Sequence, residues 1–358
     1  MNTSAASASW AHEPEIRKAV EAAMETALEL SDGVRGTTSP NPPVGAVILD
    51  SRGRRVGAGA TQPPPGPHAE VMALREAGER ARGGIAVVTL EPCSHYGRTP
   101  PCTRALLAAG IAAVRFAVSD PHPAASGGAE VLRAAGVDVE GGLLASRVAE
   151  GPLRAWLHRE RTGRPHVTWK YAASLDGRIA AADGTSRWIS GPTSRAEVHA
   201  LRARVDAVVV GTGTVLADDP WLTVRDADGE LAPRQPLRVV MGTRGIPAGA
   251  RVLDSTAETV VFATHDPGEV LAGLAERGVV DVLLEGGPTV AGAFVAAGLV
   301  DRIVAYVAPT LLGAGPAALG DAGVSTITEA HRWRLEGVTM SGEDVRISAV
   351  PVTGEGGD

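Results

Sequence analysis

The sequence predicts an α/β protein built as two domains, on three observations. Its 358 residues exceed what one hydrophobic core commonly serves. Short apolar runs alternate with stretches of helical period along almost the whole length. A polar Gly/Pro segment, RTGRPH at 161–166, interrupts that alternation once, after which it restarts without repeating itself. We assign residues 1–13 to a loose tail, 14–160 to a first domain, 161–165 to a linker and 166–354 to a second domain.

In the first domain, Ile16, Val20, Met24, Ala27 and Leu28 recur at helical spacing over 14–31. VGAVILD (44–50) reads as a buried strand, and a helix follows from about His68 to Arg82. GIAVVTLEP is a strand that runs into Cys93. PCTRALLAAG is a helix closed by Gly110, IAAVRFAVSDP a strand, AEVLRAAG a helix and VDVEGG a short strand. Such alternation predicts a sheet with helices on both faces. In the second domain HVTWKYAAS, DAVVVGTG, LRVVMG, TVVFAT, VVDVLLEGG and DRIVAYVAP read as strands. SRAEVHALRARV and TVAGAFVAAG read as helices. WRLEGVTMSGEDVRISAV closes the pattern as a hairpin with SGED at its tip.

Apolar residues make up 44% of the chain, enough for two cores, but aromatics only 3%, so the cores rest on Ala, Val and Leu. A formal charge of −7 argues against wholesale binding to nucleic acid or an anionic membrane. No apolar run approaches a membrane span, and the first residues lack the features of a secretory signal. Two cysteines make no disulfide framework for a chain of this length. The expectation is a cytoplasmic enzyme acting on small molecules.

Those two cysteines, Cys93 and Cys102, follow His68 and Glu70 of GPHAEVMALREAG, in the stretch EPCSHYGRTPPCT. Thiolate and imidazole are the ligands zinc favours, and a catalytic zinc site takes three from the protein and leaves a fourth position to water. Zinc lowers the pKa of that water towards neutrality. Glu70, two residues past a ligand at a helix start, is placed to move protons. One His-x-Glu is weak, and two cysteines are by themselves as well read as buried apolar residues. The combination, each cysteine behind proline at a strand-to-helix turn, carries the assignment of one zinc per chain. The zinc deaminase pattern H-x-E followed by P-C-x-x-C is close, but here eight residues separate the cysteines instead of two.

HAE with EPCSHYGRTPPCT, SPNPPVGAVI and VSDPHP resembles the deaminase half of the bifunctional riboflavin-biosynthesis deaminase/reductases. The resemblance implies a cytidine-deaminase-like three-layer α/β/α domain that removes an amino group from a diaminopyrimidine ribosyl phosphate. It implies Glu70 as the catalytic proton carrier, and Asn41, His95, Arg98 and Asp120 as substrate contacts. For Asn41 and Asp120, turn chemistry beside proline is the competing explanation. Thr61 and His122 depart from the commonest family pattern, which has histidine and asparagine there.

In the second domain, Gly-rich turns follow the strands of VVVGTG and LLEGGPT, and backbone amides there suit a cofactor phosphate. No G-x-G-x-x-G is present, so a Rossmann dinucleotide site is not indicated. Arg202 and Arg225 are a candidate phosphate clamp. KYAASLDGRIA, SRWISG, TVLADDPWLTVR and LLEGGPTVAGAF resemble the reductase half of the same family, a dihydrofolate-reductase-like α/β domain. The resemblance implies hydride delivery from NADPH to the ribosyl C1', opening the sugar to a ribityl chain. It places the cofactor at Ala172, Trp188, Thr214, Asp218 and the segment Gly287, Pro288, Thr289, Val290, Ala291, Gly292 and Ala293. It places substrate at Ser186, Arg202, Leu222, Arg225 and Glu285, with Lys170 and Asp176 as further contributors. A homo-oligomer is expected. The rival readings are a nucleic-acid base deaminase and a deaminase carrying a non-catalytic ligand sensor.

Overall fold

The computed structural model describes residues 14–95, 100–122, 126–226 and 228–352. It divides into two compact units, the first ending at Gly163 and the second beginning at Arg164.

The first unit runs α1 (Pro14–Gly33), β1 (Gly45–Leu49), β2 (Arg55–Ala60), α2 (Ala69–Ala77), β3 (Ile85–Leu90), α3 (Cys102–Ala108), β4 (Ala113–Val118), α4 (Gly128–Ala134), β5 (Asp138–Gly141), α5 (Ala145–Ala149) and α6 (Arg154–Thr162). Its sheet has the order β2-β1-β3-β4-β5. β1 is antiparallel to both β2 and β3, whereas β3, β4 and β5 run parallel. Ile16, Val20, Met24 and Ala27 of α1 are buried at the spacing the sequence shows.

Sequence reading assigns no strand to RVGAGA, because its glycines weaken strand propensity. The glycines are there for close approach. A Cβ on Gly57 would lie 2.2 Å from the Ala73 carbonyl oxygen of α2, and one on Gly59 2.6 Å from Met72 Cβ. A Cβ on Gly45 of β1 would lie 1.9 Å from the Ala27 oxygen of α1. Gly45 pairs with Ala60 across the antiparallel ladder, and Gly59 with Ala46. Neighbouring residues of a strand point to opposite faces, so α1 and α2 cover opposite faces and the unit is three-layered. The helix expected to reach Arg82 ends its α-helical part at Ala77, because Gly78 turns to φ 56°. A 3₁₀ turn continues to Ala81.

The second unit runs β6 (His166–Ser174), α7 (Pro192–Ala203), β7 (Ala207–Gly211), α8 (Thr212–Asp218), β8 (Leu237–Met241), β9 (Thr259–Phe262), α9 (Pro267–Glu276), β10 (Asp281–Leu284), α10 (Pro288–Ala296), β11 (Arg302–Ala308), β12 (Trp333–Ser341) and β13 (Asp344–Pro351). The strand order is β12-β13-β11-β6-β10-β7-β8-β9. β6 to β11 pair in parallel, and the β12–β13 hairpin adds an antiparallel edge. Val208 and Val210 of β7 belong to one apolar cluster, and Val209 between them to another. Both faces of the strand are therefore covered, which explains why its sequence is apolar without alternation. Both Gly-rich turns lead into helices, VVVGTG into α8 and LLEGGPT into α10. α6 extends through Arg161 and Thr162, residues that sequence reading gives to a linker. The chain turns at Gly163, φ 75°, and β6 begins three residues later.

Candidate active sites

In the first unit, His68 stands at the N-terminal boundary of α2, and Glu70 is the second residue of that helix. Cys93 follows β3, and Cys102 opens α3. The fold brings them together: His68 Nδ1 lies 3.2 Å from Cys102 Sγ and 3.7 Å from Cys93 Sγ. The ligand atoms of His68, Cys93 and Cys102 all lie within 4.8 Å of one another. Zinc bonds of about 2.0–2.3 Å at tetrahedral angles require ligand separations of roughly 3.5 Å, so this donor set fits that ion. The Cys102 backbone N–H donates to Cys93 Sγ at 3.4 Å. The hydrogen bond between the two thiols, together with the one to His68, brings the Cys93 thiol down to about 4 against the cost of burial. The same hydrogen bond, with burial, pushes the Cys102 thiol up.

Glu70 is only 4% exposed. Burial, and then the neighbouring Cys93 charge, raises its carboxyl pKa, a shift that suits a group cycling between acid and base. Asn41, His95 and Asp120 line the same pocket as His68, Glu70 and Cys93. Arg98 lies outside the described residues. Asp120 also has the turn role: its Oδ1 accepts the His122 N–H at 2.9 Å. Thr61 and His122 both line the pocket, and the Thr61 hydroxyl accepts the Val44 N–H at 3.2 Å. Sequence reading gave no site role to Trp156, Glu160 or Glu91, which also line the wall. Trp156 and Glu160 come from α6, and Glu91 braces the wall by accepting the Ala129 and Asp120 N–H groups at 2.9 and 3.3 Å.

In the second unit, two cavities share Ser186, Trp188, His199, Arg202, Thr214, Asp218 and Glu285, and so form one cleft. It lies beyond the C-terminal ends of β7 and β10, where open parallel sheets receive ligands. One part adds Lys170, Ala172 and Gly287, and the other adds Leu222 and Arg225. The rest of the 287–293 segment is placed differently from the expectation. Val290 packs over Gly211 and Gly286, and Ala291 and Gly292 are buried, with Asp321 backbone against Gly292. Pro288, Thr289 and Ala293 do not line the cleft either. The segment therefore offers Gly287 to the cleft, not a row of side chains. Asp176 lines neither cavity. It accepts the Ser174 hydroxyl at 2.5 Å and the Leu312 and Gly313 N–H groups at 3.1 and 2.6 Å, tying down a loop.

The clamp expected of Arg202 and Arg225 is also modified. Arg202 donates from Nε and Nη2 to the two Glu285 oxygens at 2.6 and 2.9 Å, and from Nη1 to the Thr223 carbonyl at 3.1 Å. Three of its five N–H groups are engaged, which leaves two for a ligand. Lys170 Nζ stands 4.0 Å from Glu285. Burial works to raise the Glu285 carboxyl, but Arg202 and Lys170 outweigh it and hold it at about 2. Burial lowers the Lys170 pKa, and Glu285 opposes that. Arg225 reaches over the Trp221 ring at 5.3 Å and donates to the Gly229 carbonyl at 2.7 Å. Arg251 covers the same ring at 4.1 Å, and Arg195 covers Trp188 at 4.6 Å. Arg195, His199, Trp221 and Arg251 were missed. Arg195 and His199 were legible as the residues seven and three before Arg202 on one helix face.

Known proteins agree with this division. Residues 17–118 match the cytidine and deoxycytidylate deaminase zinc-binding region, and residues 165–347 match the RibD C-terminal domain. Riboflavin biosynthesis protein RibD of Mycobacterium tuberculosis is 59% identical over 333 residues, covering 93% of this chain and 98% of that protein. RibD of Escherichia coli is 40% identical, covering 91% and 98%. The crystal structure of a diaminohydroxyphosphoribosylaminopyrimidine deaminase/5-amino-6-(5-phosphoribosylamino)uracil reductase from Thermotoga maritima superposes with a TM-score of 0.86 at 33% identity, covering 94% of this chain and 99% of that one. RibD of Acinetobacter baumannii gives 0.83 at 36% identity, covering 94% and 99%.

Proposed function

The chain belongs to the RibD family of bifunctional riboflavin-biosynthesis deaminase/reductases, and on that premise we propose how its residues divide the two reactions. The deaminase substrate is the diaminopyrimidinone ribosylamino 5'-phosphate, and the product, 5-amino-6-(5-phosphoribosylamino)uracil, is the substrate of the reductase. The observation that carries the reading is the convergence of His68, Cys93 and Cys102 beside a buried Glu70 in one unit, with a separate cationic cleft in the other.

His68, Cys93 and Cys102 hold the zinc, which when bound supplies an acidified water as nucleophile. Glu70 would move two protons in turn: one from the attacking water to the pyrimidine ring nitrogen, and the second from the oxygen newly bonded to carbon to the departing ammonia. Its burial keeps the protonated form accessible at each transfer. Asn41, His95 and Asp120 line the pocket that orients the ring.

In the reductase cleft, NADPH supplies the hydride. Ala172, Trp188, Thr214, Asp218 and Gly287 form the cofactor side. Ser186, Leu222, Arg225, Lys170, Arg202 and Glu285 form the substrate side. Hydride transfer needs donor and acceptor carbons held close with water excluded. The Lys170–Glu285–Arg202 cluster leaves one net positive charge beside the cleft, suited to a phosphorylated substrate.

The assembly we propose is a homo-oligomer. On β12, Leu335, Val338 and Met340 are exposed and pair with Ala349, Ile347 and Val345 on one sheet face. Light scattering should give a mass above the 36.6 kDa of one chain. No helix among the described residues is long and apolar enough to cross a membrane. We place the enzyme in the cytoplasm, where two unpaired thiols stay reduced and free to bind metal.

The test is Cys93→Ser. It should remove both zinc and deamination while the chain still reduces pre-deaminated substrate. Full deamination by a metal-free protein would refute the assignment.

A further inference from the structure

We infer that His199 is a substrate-binding residue of the reductase cleft, donating its Nε2–H to an acceptor oxygen of the ribosyl phosphate; this rests on the reductase reading above. His199 lies on α7 between Arg195 and Arg202, and the spacing puts all three on one helix face. His199 and Arg202 belong to the wall that the two parts of the cleft share.

His199 Nδ1 accepts the Arg225 backbone N–H at 3.2 Å. That nitrogen therefore presents its lone pair, and the neutral ring carries its proton on Nε2. Burial and the Arg202 charge favour the neutral ring, and Arg225 adds to them; Glu285 and the Thr223 carbonyl pull the other way. The Thr223 carbonyl already accepts from Arg202. Arg202 gives most of its fork to Glu285 and Thr223, so the wall has room for a second donor. A ribosyl phosphate presents only acceptors at its phosphate, and its sugar oxygens accept as well. A neutral imidazole can serve them without burying another charge.

Three variants of the full chain test this. In His199→Gln the amide nitrogen reaches the Nε2 position and can donate. In His199→Asn the amide oxygen takes the Nδ1 position and can accept from Arg225, with nothing at Nε2. His199→Ala loses both. KM for reduction of the phosphorylated intermediate should rise roughly tenfold in the Ala and Asn variants, as for loss of one hydrogen bond to a charged group. The kcat should change little, and Gln should stay near wild type. Titration with ribose 5-phosphate should rank binding in the same order, and deamination should match wild type in all three. A wild-type-like Asn variant with an Ala-like Gln variant would overturn the inference, since His199 would then act only by supporting Arg225. Three unchanged KM values would overturn it too. A wild-type chain that oxidises no NADPH is a different failure: it refutes the reductase reading, while the titration still judges His199.

Discussion

Arg202 and Glu285 meet as a fork on a carboxylate, with Nε–Oε1 at 2.6 Å and Nη2–Oε2 at 2.9 Å, across a sequence separation of 83 residues. Their side chains are 15% and 9% exposed. The pair joins α7 to the end of β10 and fixes the plane of the guanidinium that faces the cleft.

Glu285→Ala should therefore destabilise the second unit by about 3–5 kcal/mol, as when one partner of a buried pair is removed. Chemical denaturation followed in that unit checks it. The same contact predicts a pH dependence. Glu285 has its carboxyl held at about 2 in the folded chain, against 4.5 for the unperturbed group. Its contribution is fully present above pH 4.5 and fades as pH falls towards 2. In Glu285→Gln that part of the acid loss should be missing. An unchanged acid profile would mean the pair is not what holds the carboxyl down.

Arg225 makes a narrower prediction. Each charge-assisted contact to phosphate is worth about 1.5–3 kcal/mol, so Arg225→Ala should lower kcat/KM for the phosphorylated substrate by roughly one to two orders of magnitude. A dephosphorylated analogue has already lost that contact and should be reduced by mutant and wild type alike. Lysine should rescue in part, because a point charge cannot reproduce the fork. Equal losses on both substrates would assign Arg225 to the fold.

Much of this was legible in the sequence, for definite reasons. The zinc ligands were, because His68, Cys93 and Cys102 are rare residue types in fixed local contexts. The buried strands were, because β7 is apolar on both faces. β2 was not: Gly57 and Gly59 serve contact with α2, a tertiary fact that local propensity cannot carry. α6 was hidden by the polar RTGRPH stretch at its end, so Trp156 and Glu160 were missed from the first pocket. The 287–293 segment was read as a contiguous cofactor surface, but helical periodicity turns Ala291 inward, where it is wholly buried. Arg202 looked free because nothing local announces Glu285 as its partner.

The most direct test of the central claim, two independent active sites in one chain, is a pair of assays on Glu70→Gln with its zinc content measured. On the proposed role of Glu70 as proton carrier and not ligand, zinc should remain at one per chain. Deamination should fall by roughly 10²–10⁴ or more, the scale of lost general acid–base catalysis. Reduction of pre-deaminated substrate by NADPH should run at the wild-type rate. Reduction that collapses along with deamination, or deamination that survives the substitution, would contradict the account.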